Sequence, residues 1–245
     1  MEYTEISPST EISPFVKCFW EYENKDNDIQ HTIFPNGYFE LFTVFEQGKL
    51  ISVFLSGLRT KPFDVHIPKG IAVSAIRFML SASEYIFNRE IGSVLDTILP
   101  LTTDFWNFKK IESLSFRERT LTIDRELAVL IRGKEISPEK LSLLNTVYIP
   151  DLSVKAVADL TQWSNRRINR YFNRQFGIPL KTFLSIIRLR SSFESVKNGN
   201  LYPELNYYDQ SHYIKEVKKF TGESPKKLLK NENDRFLQFS VKKKP

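Results

Sequence analysis

Ser164-Asn-Arg-Arg-Ile-Asn-Arg-Tyr-Phe-Asn-Arg-Gln-Phe-Gly177 decides how the chain is read. Serine is a favoured residue before a helix and glycine after one, so the segment is predicted to run as a single helix to about Gln175. Ile168, Phe172 and Phe176 recur at i, i+4 and i+8 and must face a core. The opposite stripe is Asn165, Arg166, Asn169, Arg170 and Asn173, with Arg167 and Arg174 at its edges. A solvated helix face normally mixes both charge signs. This one carries four arginines and three asparagines, with no acid between Asn165 and Phe176. Arginine pairs bidentately with guanine and asparagine with adenine, each good pair giving about 1–3 kcal/mol of discrimination. The stripe therefore suits base edges in a major groove. The plainer alternative is a basic amphipathic face that meets only water.

Working outward, Ser153 caps a predicted helix from Val154 to Leu160, with Val154, Val157 and Ala158 inward and Thr161-Gln-Trp163 as the turn. Together the two segments read as a helix-turn-helix. A second piece with the same layout follows 45 positions on: Ser164 answers to Asp209, Phe172 to Val217, Gly177 to Gly222 and Phe183 to Leu228. Two copies are too few for a solenoid and indicate a duplicated small unit. In the second copy Asp209 caps a helix with Tyr213, Val217 and Phe220 inward and Gln210, Ser211 and Lys215 outward; Lys218 and Lys219 lie nearer its end. Gly222 closes that helix, and Ser224-Pro225 opens another.

The Ser164-to-Gly177 block, Arg188-Leu-Arg190 and the Asp209-to-Pro225 signature resemble the DNA-binding domain of the AraC/XylS family of bacterial transcription regulators, over about a third of the chain. The resemblance implies two recognition helices held by one long helix, here about Leu180 to Lys197. At 1.5 Å per residue that helix is roughly 27 Å long, suited to setting two heads about one DNA turn (~34 Å) apart. It further implies base-reading positions at Arg166, Asn169 and Arg170 in the first head and Gln210, Ser211 and Lys215 in the second. Asn165 and His212 are neighbours, and Arg167 and Arg174 complete the DNA-binding set. The second head departs from the pattern. The helix before Tyr207 is squeezed into Asn200–Leu205, Pro203 sits inside it, Asn206 replaces the usual turn glycine and Val217 replaces a larger aromatic. An alternative reading follows: a ligand- or protein-binding module whose second unit has lost specific DNA recognition.

Charge divides the chain in the same sense. Residues 150–245 hold 19 Lys and Arg against 9 Asp and Glu, whereas residues 1–149 hold 16 against 20. A neutral-to-acidic front and a basic back fit one domain meeting a polyanion, double-stranded DNA, better than a membrane surface. A single cysteine, Cys18, excludes an internal disulfide framework and reads as a small buried hydrophobe in Phe15-Val-Lys-Cys-Phe-Trp20. The first residues lack a basic flank and an apolar run, and no segment reaches membrane-span length, so a soluble, cytoplasmic protein is expected.

Residues 1–112 read as β structure, with strands expected at Phe15–Tyr22, His31–Phe34, Phe39–Phe45, Leu50–Leu55 and Ile71–Leu80, separated by turns such as Pro35-Asn-Gly37. A barrel or sandwich follows, its many aromatics filling the interior or lining a ligand cavity. Ser13-Pro-Phe-Val-Lys-Cys-Phe-Trp20, Phe34-Pro-Asn-Gly-Tyr-Phe-Glu-Leu41 and Ser56-Gly-Leu-Arg59 are similar to the N-terminal domain on many AraC-family regulators, which implies a sensing or dimerising module. A metal cupin would need clustered histidines, and the front offers only His31 and His66, with Glu40 as a third ligand in principle. No phosphate loop, nucleophile elbow or paired carboxylates stand out, so no enzyme activity and no cofactor are expected.

After Leu80, helices are expected at Ser83–Asn88, at Ile91–Leu99 (or a strand there), at Phe116–Arg132 with Ile123, Leu127, Leu130 and Ile131 at helical spacing, and from Ser137-Pro138 with Leu141, Leu144 and Tyr148 on one face; the apolar stripes of the last two either pack on the barrel or pair with a second subunit. The fold class is thus α+β: a β-rich domain over 1–112, a helical connector over 113–149, an AraC-type DNA-binding domain over 150–231, and a charged tail over 232–245. A small-molecule effector in the front domain, RNA polymerase and a second copy in a homodimer are the further partners this reading admits.

Overall fold

The computed structural model describes residues 2–202, 205, 207–232 and 235–237. Eight strands lie within the first 101 residues: β1 Glu2–Ile6, β2 Val16–Glu23, β3 Ile29–Ile33, β4 Phe39–Glu46, β5 Lys49–Ser56, β6 Phe63–Ile67, β7 Ile71–Phe78 and β8 Ile98–Leu101. Six form one sheet in the order β1-β2-β7-β4-β5-β8, and β3 and β6 pair as a separate ribbon. All these pairings are antiparallel. Helices then follow, and the fold is α+β.

The five expected strands are present, shifted by a residue or two. β1 and β6 were not expected, and β8 overlaps only the end of Ile91–Leu99, read as a helix or a strand. They are only four or five residues long; β1 and β6 lack an apolar run, and β8 is interrupted by Pro100. β1 and β8 are the sheet's edges, where acids and Pro100 are tolerated because one side of the backbone needs no ladder partner.

Side chains alternate across a strand, so one sheet can serve two purposes. From β4, Phe39, Leu41 and Phe45 join the main core; from β2 and β7, Phe19, Ile76 and Phe78 join them. The other face shows Cys18, Trp20, Phe42 and Ala75, which form a separate cluster with Tyr22. The main core continues into α2 (Phe116–Arg132) through Ile123, Leu127 and Ile131. Ser115 and Glu118 make a capping box at its start. Leu130, at helical spacing with these residues, is 39% exposed. It lies about 60° to one side of the Ile123–Leu127–Ile131 line at 100° per residue.

The region after β7 is less helical than expected. Helix α1 spans only Ala82–Tyr85, a 3-10 turn occupies Gly92–Val94, and the stretch ends in β8. Helix α3 (Pro138–Thr146) begins at Ser137 as expected, with Leu144 buried and Leu141 and Tyr148 packed against the core.

Five helices complete the chain: α4 Val154–Thr161, α5 Asn165–Phe176, α6 Leu180–Lys197, α7 Gln210–Thr221 and α8 Pro225–Lys230. Their caps are those read from the sequence. Ser153, Ser164, Asp209 and Ser224 accept backbone N–H groups, and Gly177 and Gly222 take left-handed conformations at φ 75° and 74°. Helix α6 serves two cores. Leu180, Phe183, Leu184 and Ile187 belong to the main one, and Ile186, Leu189, Phe193 and Val196 to a second, built with Tyr213, Val217, Phe220 and Leu228. The squeezing before Tyr207 goes further than expected: among the described residues between Asn198 and Asp209, none is helical. Six residues are too few to repay helix nucleation without a strong apolar face. Pro203, Asn206 and the Lys242–Pro245 tail lie outside the described residues.

Tyr148 joins the layers. Its hydroxyl accepts from Leu80 N at 3.1 Å and donates to Gly37 O at 2.9 Å. Its ring stacks on Tyr38 and meets Phe183 edge-on. Tyr148→Phe would strand both backbone groups and should lower unfolding stability by about 1–3 kcal/mol in a urea titration.

Candidate functional site

Helix α5 presents the arginine–asparagine stripe as the spacing requires. Ile168, Phe172 and Phe176 are fully buried, while Asn165, Arg166, Arg167, Arg170, Asn173 and Arg174 are exposed and Asn169 is half-buried. The side chains are not equivalent. Among the described residues, Arg166 and Arg170 have no hydrogen bond and no ion pair. Asn169 Nδ2 donates to Asn165 O at 3.1 Å. Arg167 lies 3.5 Å over the Trp163 ring and 3.9 Å from Glu139. Arg174 is paired with Glu90 of the front domain. Thus the first turns of the stripe face solvent, and its far end is engaged within the molecule.

The far end of α5 is anchored by the segment Ser83–Gly92. Tyr171 donates to Glu84 at 2.8 Å, and burial, reinforced by that carboxylate, raises its phenol pKa. Gln175 Nε2 donates to Ser83 Oγ and to Arg89 O, and Ile91 N donates to Gln175 O. Gly177 and Gly92 touch through their backbones: a Cβ on Gly92 would lie 2.9 Å from Gly177 N.

In the second unit Gln210, Ser211, His212 and Lys215 are all exposed on α7, opposite buried Tyr213, Val217 and Phe220. His212 N donates to the capping Asp209 at 2.7 Å. Its Nδ1 is 3.4 Å from Tyr208 N, so His212 also holds the helix start.

A cavity of about 1330 Å³ lies between the second face of the sheet, the β3–β6 ribbon and the end of α6. Its aromatic floor includes Trp20, Phe42 and Phe54, with Phe42 and Phe54 stacked at 4.9 Å. Glu40, weighed as a metal ligand, instead pairs with Arg77 and accepts from Trp20 Nε1 at 3.3 Å. Burial opposes the Arg77 charge, but Glu40 beside it carries the guanidinium pKa above its usual value. His31 is buried against the Tyr22 hydroxyl at 3.3 Å, whereas His66 is exposed, 3.6 Å from Asp28. The two imidazoles have separate partners. Sequence reasoning allowed for a cavity without locating its walls; Arg59, Arg77 and Arg190 were not assigned to one. The available signal was the alternation in Phe39-Glu-Leu-Phe-Thr-Val-Phe45, where Glu40 and Phe42 share a face.

Residues 4–100 match the model described as Domain of unknown function (DUF6597). No curated protein matches the chain. Among solved structures, the chain is similar to ToxT from Vibrio cholerae O395, with 10% identity, a TM-score of 0.42, and coverage of 86% of this chain and 95% of that one. ToxT bound to (E)-4-(8-methylnaphthalen-1-yl)but-3-enoic acid gives 11% identity, a TM-score of 0.43 and coverage of 94% and 98%. At these values the likenesses assign no residue roles to this chain. Among the described residues, no helix is long and apolar enough to cross a membrane.

Cys18 lies on the cavity side of the sheet, where burial pushes its thiol pKa up to about 12. Little thiolate therefore exists at pH 8. Reaction with a thiol reagent should be at least about 100-fold slower in the native protein than in urea, where the pKa returns to about 8.5.

Proposed function

We propose that the chain is a sequence-specific, DNA-binding transcription regulator of the AraC/XylS type, in which α5 and α7 are recognition helices entering successive major grooves. The observation that carries this reading is the exposed face of α5, where Arg166 and Arg170 have no partner among the described residues, on a helix whose other face is fully buried. A rigid rod bearing unpaired guanidinium groups and amides fits base edges; lysines and arginines around it supply the salt-dependent phosphate contacts. Asn165 and Asn169 complete the first head. Gln210, Ser211 and Lys215 form the second, with His212 positioning it. Arg167 and Arg174 sit at the rim, suited to phosphates once released from Glu139 and Glu90. The front domain is then the sensor, with the cavity as its small-molecule site, and the protein works in the cytoplasm without catalysis. The non-helical lead into α7 favours a weaker contribution from the second head.

Sites selected from a random DNA pool test this. The protein should prefer its selected site over random DNA by well above ~10³-fold. Arg166→Ala and Arg170→Ala should each lose about 1–3 kcal/mol on that site and relax the preference at one or two base positions. Lys215→Ala should cost less than Arg170→Ala in the same anisotropy titration. Equal binding of all sequences at every salt concentration would overturn the reading.

A further inference from the structure

The cavity described above has a charge pattern of its own. Its lining includes Lys17, Arg59, Arg77, Arg190 and Lys197 against Glu5, Glu40 and Glu194. Two of the cations have carboxylates: Arg77 has Glu40, and Lys197 has Glu194 at 4.0 Å. Among the described residues, Lys17, Arg59 and Arg190 have none within ion-pair distance. Arg59 donates to Asp96 O at 2.7 Å and lies over Phe63, and its buried Nε has no partner among the described residues. Arg190 donates to Asn36 O at 2.9 Å and lies over the Tyr38 and Tyr148 rings. By contrast Arg188, two residues earlier, is closed off by Asp151 at 3.0 Å. Half-buried guanidinium groups beside an aromatic floor are a recognition surface for a planar anion, through charge-assisted hydrogen bonds and ring stacking.

The walls are divided unequally between the two heads. The last two turns of α6 supply Arg190, Phe193, Glu194 and Lys197, and α8 with its cap supplies Leu229 and Asn231. Phe193 also sits in the core that holds α7, and its ring meets Phe34 of the front domain. No residue of α5, nor of the Ser83–Gly92 segment that anchors it, lines the cavity. Resting on the regulator reading, we propose that the cavity takes a planar aromatic anion with its charge at Arg190, and that occupancy governs the second head and leaves the first unchanged.

The probes are 8-anilinonaphthalene-1-sulfonate and N-phenyl-1-naphthylamine, which carry the same rings with and without the anionic group. By fluorescence titration of the full chain, the sulfonate should bind about 10-fold tighter than the neutral amine, the factor expected from one charge-assisted contact. Arg190→Gln should remove that difference, Arg190→Lys should keep part of it, and Val73→Trp, which puts a large ring into the cavity beside its aromatic floor, should weaken both probes. Circular dichroism of each variant identifies any that fails to fold, and the remaining ones decide. Hydrogen exchange with the sulfonate present should slow several-fold over 210–230 and stay unchanged over 165–176, because protection follows the elements that the ligand stabilises. Equal affinity for the two probes, an unaffected Arg190→Gln, or equal slowing in both heads would overturn the proposal. None of these readouts uses DNA, so failure to find a preferred DNA site would count against the regulator reading alone.

Discussion

One helix packed on two sides is the constraint on which the molecule depends. Helix α6 buries residues toward two cores at once, Phe183 and Ile187 on one and Ile186, Leu189 and Phe193 on the other. Its apolar residues point in two directions, so it cannot present a single amphipathic stripe. Several of its polar residues are tied down: Ser192 donates to Leu189 O, Arg188 meets Asp151 and Arg190 reaches Asn36 O. Because both helical units lean on this rod, their separation is set by packing, and packed interiors resist continuous deformation.

The sheet solves a related problem in the front half. An antiparallel sheet with one face on the core can leave the other face for a different use. Here Phe39, Leu41 and Phe45 continue the core toward the helices, while Glu40 and Phe42 belong to the cavity. The buried Arg77–Glu40 pair keeps that second face from being simply greasy. A desolvated ion pair contributes little net stability, but it fixes where each polar group points.

The contacts between front and back differ in kind. Around α5 they are short, directional hydrogen bonds from side chains and backbone, with Gly92 against Gly177 leaving no room for a side chain. Around α7 and α8 they run through the cavity wall, aromatic rings and the segment after α8, where Thr32 N donates to Arg235 O at 2.7 Å and Phe236 packs on Phe34. Apolar and ring contacts tolerate sliding more readily than a close glycine pair does. This is the physical asymmetry between the two helical units.

Local chemistry was legible in the chain itself. Caps and breakers act over three or four residues, so Ser153, Ser164, Asp209, Ser224, Gly177 and Gly222 announced helix ends that the structure places within a residue or two. The periodicity of Ile168, Phe172 and Phe176 likewise fixed which face of α5 is buried and hence which face carries arginine and asparagine. Strands β1 and β6 were not legible, because a short strand without an apolar run is defined by the partner it pairs with. The pairing of Arg174 with Glu90, of Arg77 with Glu40, and the placing of Arg190 on a cavity wall depend on residues 37 to 154 positions apart. Nothing within a local window encodes such distances. The sequence determined the helices and the chemistry of their exposed faces; only the tertiary packing decided which of those charges remain open to a partner.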